Sequence, residues 1–309
     1  MFTSQRPSLR ELAVQALSSV ERGYDLLAPK FDHTPFRTPD SVLDAVAAVL
    51  ETTGPYENGL DLCCGTGAGM DVLARVCRTG ITGVDISAGM LAVGRERTRG
   101  GQPPRTGPGA RDVTGSGGPG HGRDGGREPA PADGRPARPG TGSLTGPGAA
   151  GAARAGGEPR VAWVRGDARA LPFPAAFDLV VSFGAFGHFL PAELPGLFGQ
   201  VHSVLRPGGR FVFPVAAPAP PTSPWYWAML GFDAVMRVRN AVRRPPFVMY
   251  YRTFRLGEVR RELERAGFAV ELHVLPEFGR RRDGGPRCRA VVATRPDAAR
   301  HPAEGSVNS

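Results

Sequence analysis

A short apolar run, Gly59-Leu60-Asp61-Leu62-Cys63-Cys64, opens directly into Gly65-Thr66-Gly67-Ala68-Gly69. A helical pattern of Met70, Val72, Leu73 and Val76 follows at once. A strand that runs into glycines and then into a helix commits the chain to a tight turn. A ligand can approach the backbone of such a turn closely, and the helix N-terminus favours anionic groups. The spacing is G-x-G-x-G, with Met70 where a dinucleotide-binding turn wants its third Gly or Ala, which counts against NAD or FAD. Taken alone, the loop also fits a strand–helix turn with a purely structural purpose.

The pattern repeats downstream. Ile81-Thr82-Gly83-Val84-Asp85 reads as a second strand, and Ser87 starts a helix carrying Met90, Leu91 and Val93. Val161-Ala162-Trp163-Val164, ending near Asp167, and Phe177–Ser182 are further short strands. A helix is predicted from Leu194 to Leu205, with Pro195 tolerated in its first turn and Arg206-Pro207-Gly208-Gly209 ending it. Arg210–Val215 is the next strand. A helix from Leu256 to Ala266 stops at Gly267, and Phe268–Val274 with Arg289–Thr294 form a closing strand pair. Strands alternating with helices predict a doubly wound sheet.

Residues 1–55 read as mainly helical. Ser8, with Glu11 behind it, is placed as an N-cap and capping box for Leu9–Leu17. A second helix starts at Thr38-Pro39-Asp40. Residues 99–158 are rich in Gly, Pro, Ala and Arg and almost free of large apolar side chains. That composition cannot bury enough surface to offset ordering entropy, so a disordered insertion is predicted within one sheet.

No apolar run of about 18 residues occurs, so no transmembrane helix is expected. The N-terminus lacks the apolar core of a secretory signal, which makes the cytoplasm the expected location. Cys63, Cys64, Cys77 and Cys288 lack zinc-site spacing and read as free thiols; no metal is expected. The net charge of +9 is carried mainly by arginine. Its spread over a Gly/Pro-rich segment and the last third weakens a nucleic-acid reading.

Two carboxylates stand at strand ends beside the glycine loop. Asp85 can accept hydrogen bonds from ribose hydroxyls there, or cap the Ser87 helix. Asp167, in Gly166-Asp167-Ala168, can accept from an adenine amino group, or serve as a turn aspartate.

With these residues in place, the chain resembles class I S-adenosylmethionine-dependent methyltransferases, in particular the methyltransferase type 11 group and the ubiquinone/menaquinone methyltransferases. Five blocks carry the resemblance: Asp61–Gly67; Gly83–Ser87 with Met90-Leu91; Gly166–Ala168 with Leu171-Pro172-Phe173; Phe177–Val180; and Leu205–Gly209. The blocks are specific for the cofactor and not for the methyl acceptor. The resemblance implies a Rossmann-like α/β doubly wound sheet, mostly parallel with an antiparallel last strand, an N-terminal helical cap and the disordered insertion. It further implies roles. Gly65, Gly67 and Gly69 would meet the methionine part of S-adenosylmethionine, and Asp61 its amino end. Asp85 would hold the ribose, Ile86 the adenine face, and Asp167 and Ala168 the adenine edge. Ser182 and Phe183 would line the path to the sulfonium, and Tyr24, in a Tyr-Asp-x-x-Ala segment, would close over the cofactor.

The expected organisation is a helical cap (1–56), a cofactor-binding core (57–98 and 159–214), the insertion (99–158), an aromatic and basic lid (215–252), the end of the core sheet (253–297) and a flexible tail (298–309). The expected function is methyl transfer by in-line displacement to a small, apolar or aromatic acceptor. His188, after the fourth strand, is the general-base candidate, with a loop-orienting role as its alternative; His33 is a weaker one. Trp225–Leu230 suits a lid over an apolar acceptor, or an ordinary packed helix. Arg237, Arg239, Arg243 and Arg244 suit a solvated face, an acidic substrate or an anionic membrane surface. Two alternatives stand beside this: an RNA or protein methyltransferase, although Ser182-Phe183-Gly184-Ala185 lacks an Asn-Pro-Pro-Tyr-like block, and a non-catalytic cofactor-binding protein.

Overall fold

Strand β1 (Tyr56–Leu62) is an interior strand, third in a seven-stranded sheet with the order β3-β2-β1-β4-β5-β7-β6. The other strands are β2 (Cys77–Asp85), β3 (Arg160–Arg165), β4 (Phe177–Val181), β5 (Leu205–Ala216), β6 (Ala269–Val274) and β7 (Cys288–Thr294). The computed structural model describes residues 18–34, 36–100, 158–242 and 256–297, Trp225 by its backbone only. The expected N-cap at Ser8, the insertion from 101 to 157, Arg243 and Arg244, and the tail lie outside the described residues.

β1, β2, β3, β4 and β5 are mutually parallel. β7 runs antiparallel to both β5 and β6. The single antiparallel strand is therefore the last in sequence, as expected, and is inserted next to the sheet edge. Chain connection runs outward from β1 through β2 to β3, then returns to β4 on the other side. This reversal between β1 and β4 is the switch point where open α/β sheets leave a crevice at their carboxyl ends.

Both faces of the sheet are covered, and side chains alternate between them with the period of a strand. Val180, Phe211, Phe213, Val291 and Ala293 face one core with α5 (Leu194–Val204) and α7 (Leu256–Arg265). Leu179, Val181, Val212, Ala290 and Val292 face the other, with α2 (Asp40–Thr53) and α3 (Ala68–Val76). The α2 helix starts at Asp40, the first residue after Pro39. α4 (Ala88–Arg99) is capped by Ser87, whose hydroxyl accepts from the Met90 N–H at 3.1 Å.

Two expectations change in detail. Arg206-Pro207-Gly208-Gly209 belongs to β5 and does not form a turn between helix and strand. The ladder jumps from Phe177↔Leu205 to Leu179↔Arg210. Gly208, at φ +77°, lets the extra residues loop out, and its N–H reaches the Arg295 carbonyl at 2.8 Å. The aromatic segment forms α6 (Pro224–Val242). It packs Phe232 and Met236 against Val20 and Tyr24 of α1 (Val20–Leu27). Its described residues line neither of the cavities described below, and its inner face backs the cap.

Candidate functional site

The crevice at the switch point is a cavity of about 620 Å³, within the span of small-molecule and cofactor pockets. A smaller recess of about 50 Å³ adjoins it, sharing Phe31, Phe36, Cys63, Gly65 and Phe183 as walls. One side of the cavity comes from strand ends. Gly65 follows β1, Asp85 and Ile86 end β2, Asp167 and Ala168 follow β3, and Phe183 to His188 follow β4. The cap supplies Tyr24 from α1 and Phe31 from the 3-10 turn Ala28–His33.

The turn after β1 is built from left-handed residues. Cys63 has φ +57°, Gly65 +52° and Gly67 +93°. A Cβ at Gly65 would meet nothing within 4 Å, because the residue opens onto the cavity. A Cβ at Gly69 would lie 2.5 Å from Asp61 Oδ2, so the missing side chain leaves room for that carboxylate. Gly67 serves packing. A Cβ there would lie 2.4 Å from the Trp163 ring, and Gly67 lines neither cavity.

Asp61 is the anomaly of the central strand: a carboxylate only 1% exposed, with Oδ2 lacking any hydrogen-bond partner in the chain. It borders the small recess. Burial, and then the nearby charges of Asp85 and Asp71, push its pKa well above the usual carboxylate range. The N–H groups of Met70 and Gly69 oppose this without cancelling it. A buried acceptor without a donor costs stability unless an N–H or O–H group reaches it.

Asp85 is held from two sides. The Gly65 N–H donates to Oδ2 at 2.9 Å and the Ser87 N–H donates to Oδ1 at 2.9 Å. Burial raises its pKa, and those two N–H groups moderate the rise. Asp85 thus anchors the loop and holds Ser87, the residue that caps α4, and it also lines the cavity. Asp167 is bound by Arg169, whose Nη2 lies 2.8 Å from Oδ2 and whose N–H lies 2.9 Å from Oδ1. The hydrogen bonds from Arg169 hold its pKa below the ordinary range. Arg169 also reaches Glu193 at 3.0 Å, forming one rim of the cavity. Its part was not legible beforehand, since nothing in the local spacing marks it.

Ser182 lies beneath the site. Its buried hydroxyl donates to the Leu62 carbonyl at 3.0 Å, tying β4 to the end of β1, and it lines neither cavity. Phe183 lines both cavities. His188 lies in the large cavity, where its Nε2 is 2.8 Å from the Tyr24 hydroxyl. His33 is exposed and borders neither cavity.

The cap is fastened by two aspartates that sequence reasoning did not single out. Asp25 Oδ1 accepts from Ser87 Oγ at 2.6 Å and from the Gly89 N–H at 2.8 Å. Asp32 Oδ1 accepts from Thr66 Oγ1 at 2.6 Å. Arg165 and Glu21 add an ion pair between β3 and α1. The one sequence signal was the Tyr-Asp-x-x-Ala segment, read for Tyr24 and not for Asp25. All four cysteines are free thiols. Among the described residues, no group of His, Cys, Asp and Glu could hold a metal, and no helix is long and apolar enough to cross a membrane.

Residues 31–273 match a family model described as a methyltransferase domain. A 59-residue stretch is 39% identical to the ubiquinone/menaquinone biosynthesis C-methyltransferase UbiE of Caulobacter vibrioides, taking in 18% of this chain and 22% of that protein. The chain thus matches about a fifth of that relative's length. Among solved structures, a putative O-methyltransferase of Nostoc punctiforme superposes with a TM-score of 0.53 at 15% identity, over 90% of this chain and 62% of that one. A chain of the Haloferax volcanii complex between the Trm112 methyltransferase activator and a putative methyltransferase gives 0.51 at 15% identity, over 92% and 100%. At such identities the likeness is one of fold. The family match covers well over half of the chain, and the sheet, switch-point crevice and glycine turn agree with it: the chain belongs to the methyltransferase-domain family, on a Rossmann-like fold.

Proposed function

We propose that this chain transfers a methyl group to a small, apolar or aromatic acceptor held in the large cavity, with Tyr24 and His188 handling the acceptor's proton. The observation that carries the reading is the Tyr24–His188 contact inside a cavity walled by Phe31, Phe36, Phe183 and Phe189. Aromatic walls suit an apolar acceptor and exclude water, and a paired phenol and imidazole suit proton transfer.

The residues present fit the cofactor. Asp61 offers a buried, unpartnered oxygen for an ammonium group, and Gly65 leaves the backbone open beside it. Asp85 presents its carboxylate to ribose hydroxyls, while Ile86 and Ala168 give apolar contact for adenine. Arg169 already makes four contacts to the Asp167 carboxylate, two on each oxygen, so an adenine amino group there shares or displaces one of them. S-adenosylmethionine, when bound, supplies a methyl carbon made electrophilic by its sulfonium.

The chain's own residues align, exclude water and move the proton. Tyr24 hydrogen-bonds Nε2 and so fixes the ring direction of the imidazole. An acceptor hydroxyl or amine loses its proton to the Tyr24 oxygen or directly to the imidazole, and His188 carries the charge. Asp25 and Asp32 hold the cap that carries Tyr24 in register with the glycine turn. The test is a screen of apolar and aromatic acceptors reading S-adenosylhomocysteine release. A set of active acceptors whose turnover falls in His188→Ala supports the proposal. Activity confined to RNA or protein acceptors, or activity indifferent to His188, contradicts it.

A further inference from the structure

Helix α6 buries one side and leaves the other bare. Phe232 and Met236 pack inward against Val20 and Tyr24. On the outside, Trp227 is 61% exposed, Val235 and Val238 are each 65% and Val242 is 79%. At the step of about 100° per residue, these four fall within an arc of about 80°. They form one apolar stripe about 22 Å long. Gly231 lies in the same arc, and Ala234 and Ala241 extend it. No charged side chain interrupts it.

The charges around the stripe have one sign. Asp233 is the helix's one acidic residue, and it is 2% exposed on the inner side. Arg237 is exposed at one margin of the stripe. Arg239, at the other margin, spans back to the Ser18 carbonyl at 3.0 Å. The whole chain carries +9. A stripe about 22 Å by 10 Å presents on the order of 200 Å², far below the roughly 800 Å² per partner of a stable protein–protein interface. A planar anionic layer suits it better than a second copy. A helix with an apolar face including Trp, basic margins and no exposed acid is the composition that lies in a membrane interface.

We propose that the outer face of α6 seats this chain on an anionic lipid bilayer, with Trp227, Val235, Val238 and Val242 at the boundary between headgroups and acyl chains and Arg237 against the phosphates. The inner face of the same helix packs on Tyr24, so the seat lies directly behind the cap of the cavity. The inference stands independently of which acceptor is methylated.

The experiment is flotation of the full chain with vesicles of phosphatidylcholine alone or mixed with phosphatidylglycerol. The expected result is recovery with the mixed vesicles roughly tenfold above that with phosphatidylcholine, weakening as salt rises. The Val235→Asp/Val238→Asp variant should lose at least about tenfold of that binding, while keeping its melting temperature and its affinity for S-adenosylmethionine. Trp227→Ser, a single change, should lose part of it and serves if the double variant fails to fold. Absence of flotation with either vesicle overturns the proposal, as does equal flotation of the variants. Self-association that rises with concentration and vanishes in the variants would also overturn it, by making the stripe a contact between copies.

Discussion

The Tyr24 hydroxyl lies 2.8 Å from Nε2 of His188, joining residues 164 positions apart. The two rings meet edge to face with centroids 5.1 Å apart. If this pair removes the acceptor's proton, His188→Ala should lower kcat by about 10²–10⁴, the usual worth of a positioned acid or base. Tyr24→Phe should cost less, because the imidazole survives without its orienting partner. Cofactor affinity should hold in His188→Ala. Steady-state kinetics beside a binding titration separates the two; a matched loss of cofactor binding would point to a structural role.

Asp61 predicts a pH dependence. Its pKa is raised by burial and by Asp85 and Asp71. Between the ordinary carboxylate value and that raised value, the folded chain binds a proton that the unfolded chain has lost. Stability of the ligand-free chain from this group therefore falls as pH rises through that window. Binding of an ammonium group at Oδ2 favours the ionised form, so cofactor affinity should rise with pH over the same window, and binding should release a proton. Calorimetry in two buffers of different ionisation enthalpy reads the release. Asp61→Asn should melt no lower than the parent chain yet bind the cofactor at least about tenfold more weakly, a difference of about 1.4 kcal/mol.

The two left-handed glycines of the turn should separate stability from binding. Gly67→Ala meets the Trp163 ring and should cost about 1–3 kcal/mol of stability by overpacking. Gly65→Ala meets no atom and should cost about 1–2 kcal/mol, for the left-handed backbone alone. That Cβ, however, projects toward the cavity, so Gly65→Ala should weaken cofactor binding more than Gly67→Ala does. Thermal melting paired with a titration gives both numbers. The reverse ranking in affinity would mean that Gly67 contacts the ligand.

The cap latches predict an exchange rate. Asp25→Asn leaves the Ser87 hydroxyl and the Gly89 N–H facing a weaker acceptor. It should speed S-adenosylhomocysteine release several-fold, as charge-assisted bonds are about twice as strong as neutral ones. Stopped-flow displacement measures it. An unchanged release rate would place the opening elsewhere.

What was legible in the sequence depended on range. The glycine turn, Asp85 at a strand end and the alternation of strands and helices are local patterns, while the antiparallel last strand was implied by the family resemblance. Trp163, set against Gly67, was not legible from the loop: residues far apart in sequence decide what a loop glycine faces. Ser182 turns toward β1 because strand side chains alternate and Phe183 takes the open side. The hold of Arg169 on Asp167 and Glu193, the Asp25 and Asp32 latches and the Tyr24–His188 pair cross between elements, and no periodicity encodes them. The α6 segment was read as part of an aromatic and basic lid, or as an ordinary packed helix. Which of its faces is covered depends on α1, which the segment itself does not record.

The most direct test of the account is a calorimetric titration of S-adenosylmethionine into the full chain and into Asp85→Ala. The account predicts a single saturable site in the parent chain, lost or weakened at least about a hundredfold in the variant, or roughly 2.7 kcal/mol. No binding at millimolar cofactor, or equal binding by the variant, would contradict it.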